Sequence, residues 1–78
     1  MSTSYWVGRF DQLIDHYEIE RRHMVAAVRQ AYLSGRWQAA TDAERAHTRR
    51  NFRFNRSQRL RAIKGRADWI AAHPEVTL

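Results

Sequence analysis

The chain has 78 residues, a net charge of +6, 44% hydrophobic residues and no cysteine. This length predicts a single helical domain over residues 1–78 and excludes a large core. The lack of cysteine excludes disulfides and thiolate metal sites, and no apolar run approaches the roughly 20 residues that cross a bilayer. Met1 is followed by polar Ser-Thr-Ser instead of an apolar signal, so we expect a cytoplasmic protein.

The first half of the sequence predicts one long helix over residues 4–33. At about 100° per residue, its apolar side chains fall on one stripe. The stripe consists of Trp6, Phe10, Leu13, Tyr17, Met24, Val28 and Ala31. Only Glu20 and Arg21 interrupt it, at a level where apolar residues are expected. Ser34-Gly35 is predicted to end the helix, because glycine tolerates the left-handed conformation that closes many helices.

A second helix is predicted after a connector at residues 36–40. Thr41 is followed three residues later by Glu44, which matches a capping box. The second helix is therefore expected over residues 42–54, with Phe54 on its inner side.

A third helix is predicted over residues 58–72. One unbroken helix would place the arginines of 45–56 on the same face as the apolar residues that follow them, so we expect a change of direction near Asn55–Ser57. Pro74 ends the third helix, because the residue before a proline disfavours helix. Gly65 costs this helix about 1 kcal/mol relative to alanine, and either close packing against another helix or the end of a shorter third helix would explain it.

The expected architecture is all-α, with a long N-terminal helix and two shorter antiparallel helices packed along it in a small bundle. Tyr5 and Trp6 are consecutive, so they spread apolar surface around the first helix beyond what one small domain covers. Two such helices packed across a twofold axis would hide it, and we expect a homodimer. The predicted protein interface comprises Tyr5, Trp6, Phe10, Leu13 and Trp37.

Positive charge is concentrated in the second half of the chain. Residues 1–34 contain four acids and four arginines, whereas residues 35–78 contain ten basic residues and four acids. Nine basic residues and no carboxylate occur between Arg45 and Arg66. Such asymmetry indicates an anionic partner for the second half.

This basic segment combines residue types that contact nucleic acid. Guanidinium groups pair with phosphates in two parallel hydrogen bonds, amides contact base edges, and aromatic rings stack on unpaired bases. The predicted phosphate or acidic-partner contacts are Arg45, Arg49, Arg50, Arg53, Arg56, Arg59 and Arg61. Phe52, Asn55 and Gln58 are predicted to add stacking or polar contacts. A solvated arginine face and a helix-turn-helix reader are the alternatives, although a glycine-centred turn is absent.

Catalytic and metal sites are not expected. His16 and His23 are seven residues apart, too far for a one-turn helical zinc pair, and Asp11, Asp15 and Glu18 fit a solvated helix face. We therefore expect no enzymatic activity, no catalytic residue, no metal, no cofactor and no small-molecule substrate.

The sequence thus predicts a small cytoplasmic protein that binds nucleic acid or a nucleoprotein through its arginine-rich face, without a membrane partner. The alternative is a protein-only inhibitor or adaptor, of the kind that phages and mobile elements encode. In that case the arginines would bind an acidic surface of a larger machine, with Tyr5, Trp6 and Trp37 as aromatic anchors.

Overall fold

The structure, a computed structural model, describes residues 3–74, so the predicted domain limits at residues 1 and 78 lie outside the described part. It contains helices α1 (Thr3–Leu33), α2 (Arg36–Ala39) and α3 (Asp42–Ala72), and no strand occurs between residues 3 and 74. The all-α prediction is confirmed. The molecule measures 55 × 18 × 16 Å, which is the shape of a helical hairpin.

Hydrogen bonds at Gly35 and Thr41 hold the two ends of the α2 connector. Gly35 adopts the left-handed conformation with φ 80°, and its backbone N–H donates to the Tyr32 carbonyl at 3.2 Å. Thr41 Oγ1 accepts a hydrogen bond from the Glu44 backbone N–H at 3.1 Å. These contacts turn the chain so that α3 returns antiparallel to α1.

The antiparallel alignment follows from contacts along the length of the hairpin. Near the termini the Trp6 and Trp69 rings lie 5.8 Å apart. Arg66 Nε donates to Asp11 Oδ1 at 2.7 Å, and Asn55 bonds to the Tyr17 region of α1 in the middle of the hairpin.

The predicted division of the second half into two helices is wrong, because α3 continues without a break through Asn55–Ser57. Asn55 is 1% exposed and does not form a turn. Its Nδ2 donates to the Tyr17 carbonyl oxygen at 3.0 Å and to Glu20 Oε1 at 2.8 Å. Glu20, which interrupts the apolar stripe of α1, is therefore the partner of a buried amide.

A straight α3 has two consequences for apolar side chains. Phe54 is 63% exposed, which contradicts its predicted inward position. Neighbouring residues on a helix point about 100° apart, so Phe54 points outward because the adjacent Asn55 is buried. Leu60 and Ile63 are also exposed. The bend is predicted because the face of α3 that carries Leu60 and Ile63 is expected to be buried. A hairpin of two long helices leaves that face exposed.

The core is thin. Ala62 is the one buried apolar residue of residues 5–74, and it is 6% exposed. Most of the α1 stripe is half-buried, but Trp6 and Leu13 are exposed at one edge of the hairpin.

Gly65 allows α1 and α3 to approach closely, as one of its predicted explanations requires. A Cβ atom built on Gly65 would lie 2.8 Å from Phe10 Cε1, shorter than a van der Waals contact. The Phe10 ring fills the space that a side chain at residue 65 would occupy.

Replacing Gly65 with alanine should cost about 1–3 kcal/mol in packing, because the methyl group displaces the Phe10 ring, and this cost offsets the gain of about 1 kcal/mol that alanine brings to a helix. Gly8 is the matched control, since a Cβ there would meet nothing within 4 Å. Gly8→Ala should stabilise α1 by about 1 kcal/mol through helix propensity. Urea unfolding measures both effects, and equal gains in stability at the two positions would contradict the close contact.

Asn55→Asp should destabilise the protein by about 3 kcal/mol, because it places two carboxylates together in the partly buried seam. Adding Glu20→Gln should recover most of this loss, since the new amide can donate to the new carboxylate. Urea unfolding of the two single variants, the double variant and the parent chain forms a double-mutant cycle. Purely additive losses would show that residues 20 and 55 do not interact directly.

Candidate anion-binding groove

The seven predicted arginines do not share one face of α3. At about 100° per residue, Arg56 and Arg59 lie on the flank next to α1, and Arg50 and Arg61 lie about 160° further around the helix. Arg53 lies between these two groups. The structure therefore brings part of the predicted set together and separates the rest.

A groove of about 490 Å³ runs between the two long helices on this flank. It is lined by Arg21, Phe52, Arg53, Arg56 and Arg59. We call it the arginine groove. A neighbouring depression of about 220 Å³ shares Arg21 and Arg59 and adds Glu18 and Arg22.

The four arginines of the groove form no ion pair within the described part of the chain. Arg21, Arg53 and Arg56 are exposed, and Arg59 is half-buried. Four guanidinium groups thus line one groove without an ion-paired carboxylate, and Glu18 lies in the depression beside it. Their mutual repulsion falls when an anion binds between them, and each can donate two parallel hydrogen bonds to a phosphate or carboxylate.

Arg21 is the groove residue that sequence reasoning missed. Residues 1–34 are neutral overall, so no positive site was expected from α1. The available signal was the Glu20-Arg21 interruption of the apolar stripe. Glu20 faces Asn55 across the seam, and Arg21 follows on the flank where the arginines of α3 lie.

Four other basic residues of the segment have internal partners, including Arg66, which pairs with Asp11. Arg45 donates through Nη1 to the Trp37 carbonyl at 3.1 Å and through Nη2 to Asp42 Oδ1 at 2.9 Å, so it ties α2 to α3. The Arg49 guanidinium lies 5.9 Å from the centre of the Trp37 ring. Lys64 forms an ion pair with Asp68 on α3.

Of the predicted polar and stacking residues, Phe52 lines the groove, whereas Asn55 and Gln58 do not. Phe52 is half-buried and lines the groove, where its ring offers an apolar surface. The Asn55 amide is held between the helices and does not reach the surface. Gln58 is half-buried and does not line the groove.

Three of the five predicted interface residues, Tyr5, Trp6 and Leu13, are exposed, and the aromatic ones also contact other rings of the hairpin. Tyr5 packs edge-on against Trp6 at 5.2 Å, and Trp6 contacts the Trp69 ring. Trp37 is half-buried and stacks on Tyr32 at 5.4 Å. Phe10 fills the space above Gly65, whereas Leu13 is exposed.

Between residues 3 and 74, no three His, Asp or Glu side chains are placed to hold a metal ion. Neither long helix of this region has an apolar stretch of the length that a bilayer requires.

Comparison with known proteins adds no assignment, since no protein-family model, curated protein or solved structure matches this chain. The chemistry of the arginine groove is therefore the basis for a functional proposal.

Proposed function

We propose that this protein binds the phosphate backbone of nucleic acid in the arginine groove, as a cytoplasmic homodimer without enzymatic activity. The observation that carries the proposal is the set of four guanidinium groups in the groove without an ion-paired carboxylate. Phosphate and carboxylate both match the guanidinium fork, and binding to a phosphate polyanion gains further from counterion release.

The arrangement along α3 favours an extended anion over a small one. Arg53, Arg56 and Arg59 are three residues apart, so each step advances about 4.5 Å along the helix. Arg21 faces them from α1. A row of this kind can contact successive groups of a chain, whereas a single small anion reaches one or two of them.

Phosphate contacts set affinity and position but carry no direct sequence information. Asn55, which was predicted to contact bases, is buried between the helices. The groove offers Phe52 as a surface for a base or sugar, and stacking of this kind tolerates any base. We therefore expect binding with little sequence preference.

The alternative partner is an acidic protein surface. It would need exposed aromatic anchors beside the arginines. Tyr5 and Trp6 are exposed but do not line the arginine groove, and Trp37 is half-buried and contacts Tyr32 and Arg49. These contacts favour the nucleic-acid proposal. The acidic partner is a distinct outcome of the experiment below.

Removing groove arginines should weaken nucleic-acid binding and flatten its salt dependence. Arg21→Gln with Arg56→Gln removes two exposed groove charges, one from each helix. The matched control is Arg50→Gln with Arg61→Gln, which removes two exposed charges away from the groove. We expect the groove variant to bind at least about tenfold more weakly at low salt, with a logarithmic salt slope smaller by about 2. The control should keep the parent slope.

Mobility-shift titrations with duplex DNA, single-stranded DNA and RNA, at about 50 and 200 mM salt, provide the measurement. Circular dichroism checks that the variants keep their helicity. Equal losses in the two variants would show that net charge, not the groove, determines binding. If none of the three nucleic acids is retarded at low salt, the proposal is wrong and the acidic protein partner takes its place.

A further inference from the structure

The hairpin leaves a second surface open on the side of α1 away from the arginine groove. It is a shallow depression of about 520 Å³ lined by His16, Ile19, Glu20, His23, Met24 and Ala27. We call it the α1 patch. It contains no arginine or lysine, and the neighbouring Leu13 is also exposed.

The chain exposes more surface than a compact protein of its size. Its accessible surface is 6072 Å², about 1,000 Å² above the roughly 5,000 Å² expected for a folded monomer of its mass. Its radius of gyration is 17.3 Å, against about 11–12 Å expected for a globular domain of this length. The extra surface is comparable to the roughly 800 Å² that each partner covers in a typical protein–protein interface.

We infer that a second copy of this chain docks on the α1 patch, with the two α1 helices antiparallel across a twofold axis. With Ala62 as the one buried apolar residue of residues 5–74, the hairpin lacks core of its own. The missing core must then come from a partner that is present whenever the chain folds. A second copy meets this condition because it is synthesised together with the chain, and it completes a four-helix bundle.

The patch is self-complementary for an antiparallel pair. Its six positions are symmetric about the midpoint between residues 21 and 22. A second copy running in the opposite direction therefore brings His16 level with Ala27 of the other copy, and Glu20 level with His23. The pairing sets His16 against the small Ala27 and His23 beside the Glu20 carboxylate. Glu20 Oε1 also accepts from Asn55, and Oε2 lies 3.8 Å from His16 of the same helix.

Charge placement favours this face over the arginine groove. Each chain carries a net charge of +6, and contact through the arginine groove would bring unpaired guanidinium groups of the two copies together. Contact through the α1 patch leaves both grooves facing solvent. This dimer specifies the homodimer of the proposed function, and its formation can be measured without nucleic acid.

Sedimentation velocity with two matched variants tests the inference. Ile19 in the patch and Leu60 outside it are both 49% exposed, so a charge at either site should perturb the isolated hairpin similarly. We expect a dimer for the parent chain, a melting temperature that rises with protein concentration, and a dimer for Leu60→Glu. Ile19→Glu should raise the dimer dissociation constant at least about tenfold, since a charge would be buried in the interface. A monomeric parent chain, or two variants that behave alike, would overturn the inference.

Disulfide cross-linking tests the antiparallel register. The chain has no cysteine, so introduced cysteines report only on designed contacts. A mixture of His16→Cys chains and Ala27→Cys chains should form a mixed disulfide-linked pair under mild oxidation, in clear excess over either variant alone. Mass spectrometry distinguishes the products. Preferential linkage of identical chains would show parallel packing and overturn the proposed register.

Discussion

A hydrogen-bonded amide at the middle of the hairpin fixes how α1 and α3 align. Asn55 donates to the Tyr17 carbonyl and to the Glu20 carboxylate. Sliding one helix by a turn would leave these groups buried without partners, which costs more than the loss of an apolar contact. The thin core supplies few other constraints, and a single polar pair in a helical seam can define register, as in coiled coils.

The arginine groove depends on the same alignment. Because Glu20 faces Asn55, the next residue of α1 points toward the flank where Arg56 and Arg59 lie. Arg21 thus reaches the groove through the register and not through a charge pattern of its own. Structure and proposed function are connected here, since a slip of the hairpin that unpairs Asn55 would also separate the basic side chains of the two helices.

Local signals in the sequence predict the end of α1 and the start of α3. They do not predict how these two helices pack against each other. Gly35 and the Thr41 cap act through backbone groups a few residues away, so their roles can be inferred without knowing the fold. Asn55 has the same local preference for turns, but its partner is 35 residues away in Glu20. A bend was also expected because apolar residues such as Leu60 were assumed to be buried, and in a two-helix fold they are not.

The corner around α2 has a consequence for how the chain folds. Trp37 stacks on Tyr32, and its carbonyl accepts from Arg45, so the contacts there join residues close in sequence. Contacts such as Trp6 with Trp69 close a loop that spans nearly the whole chain. Short loops close with less entropy loss than long ones. The hairpin should therefore nucleate at this corner and zip toward its open end, where fraying begins and amide hydrogens exchange first.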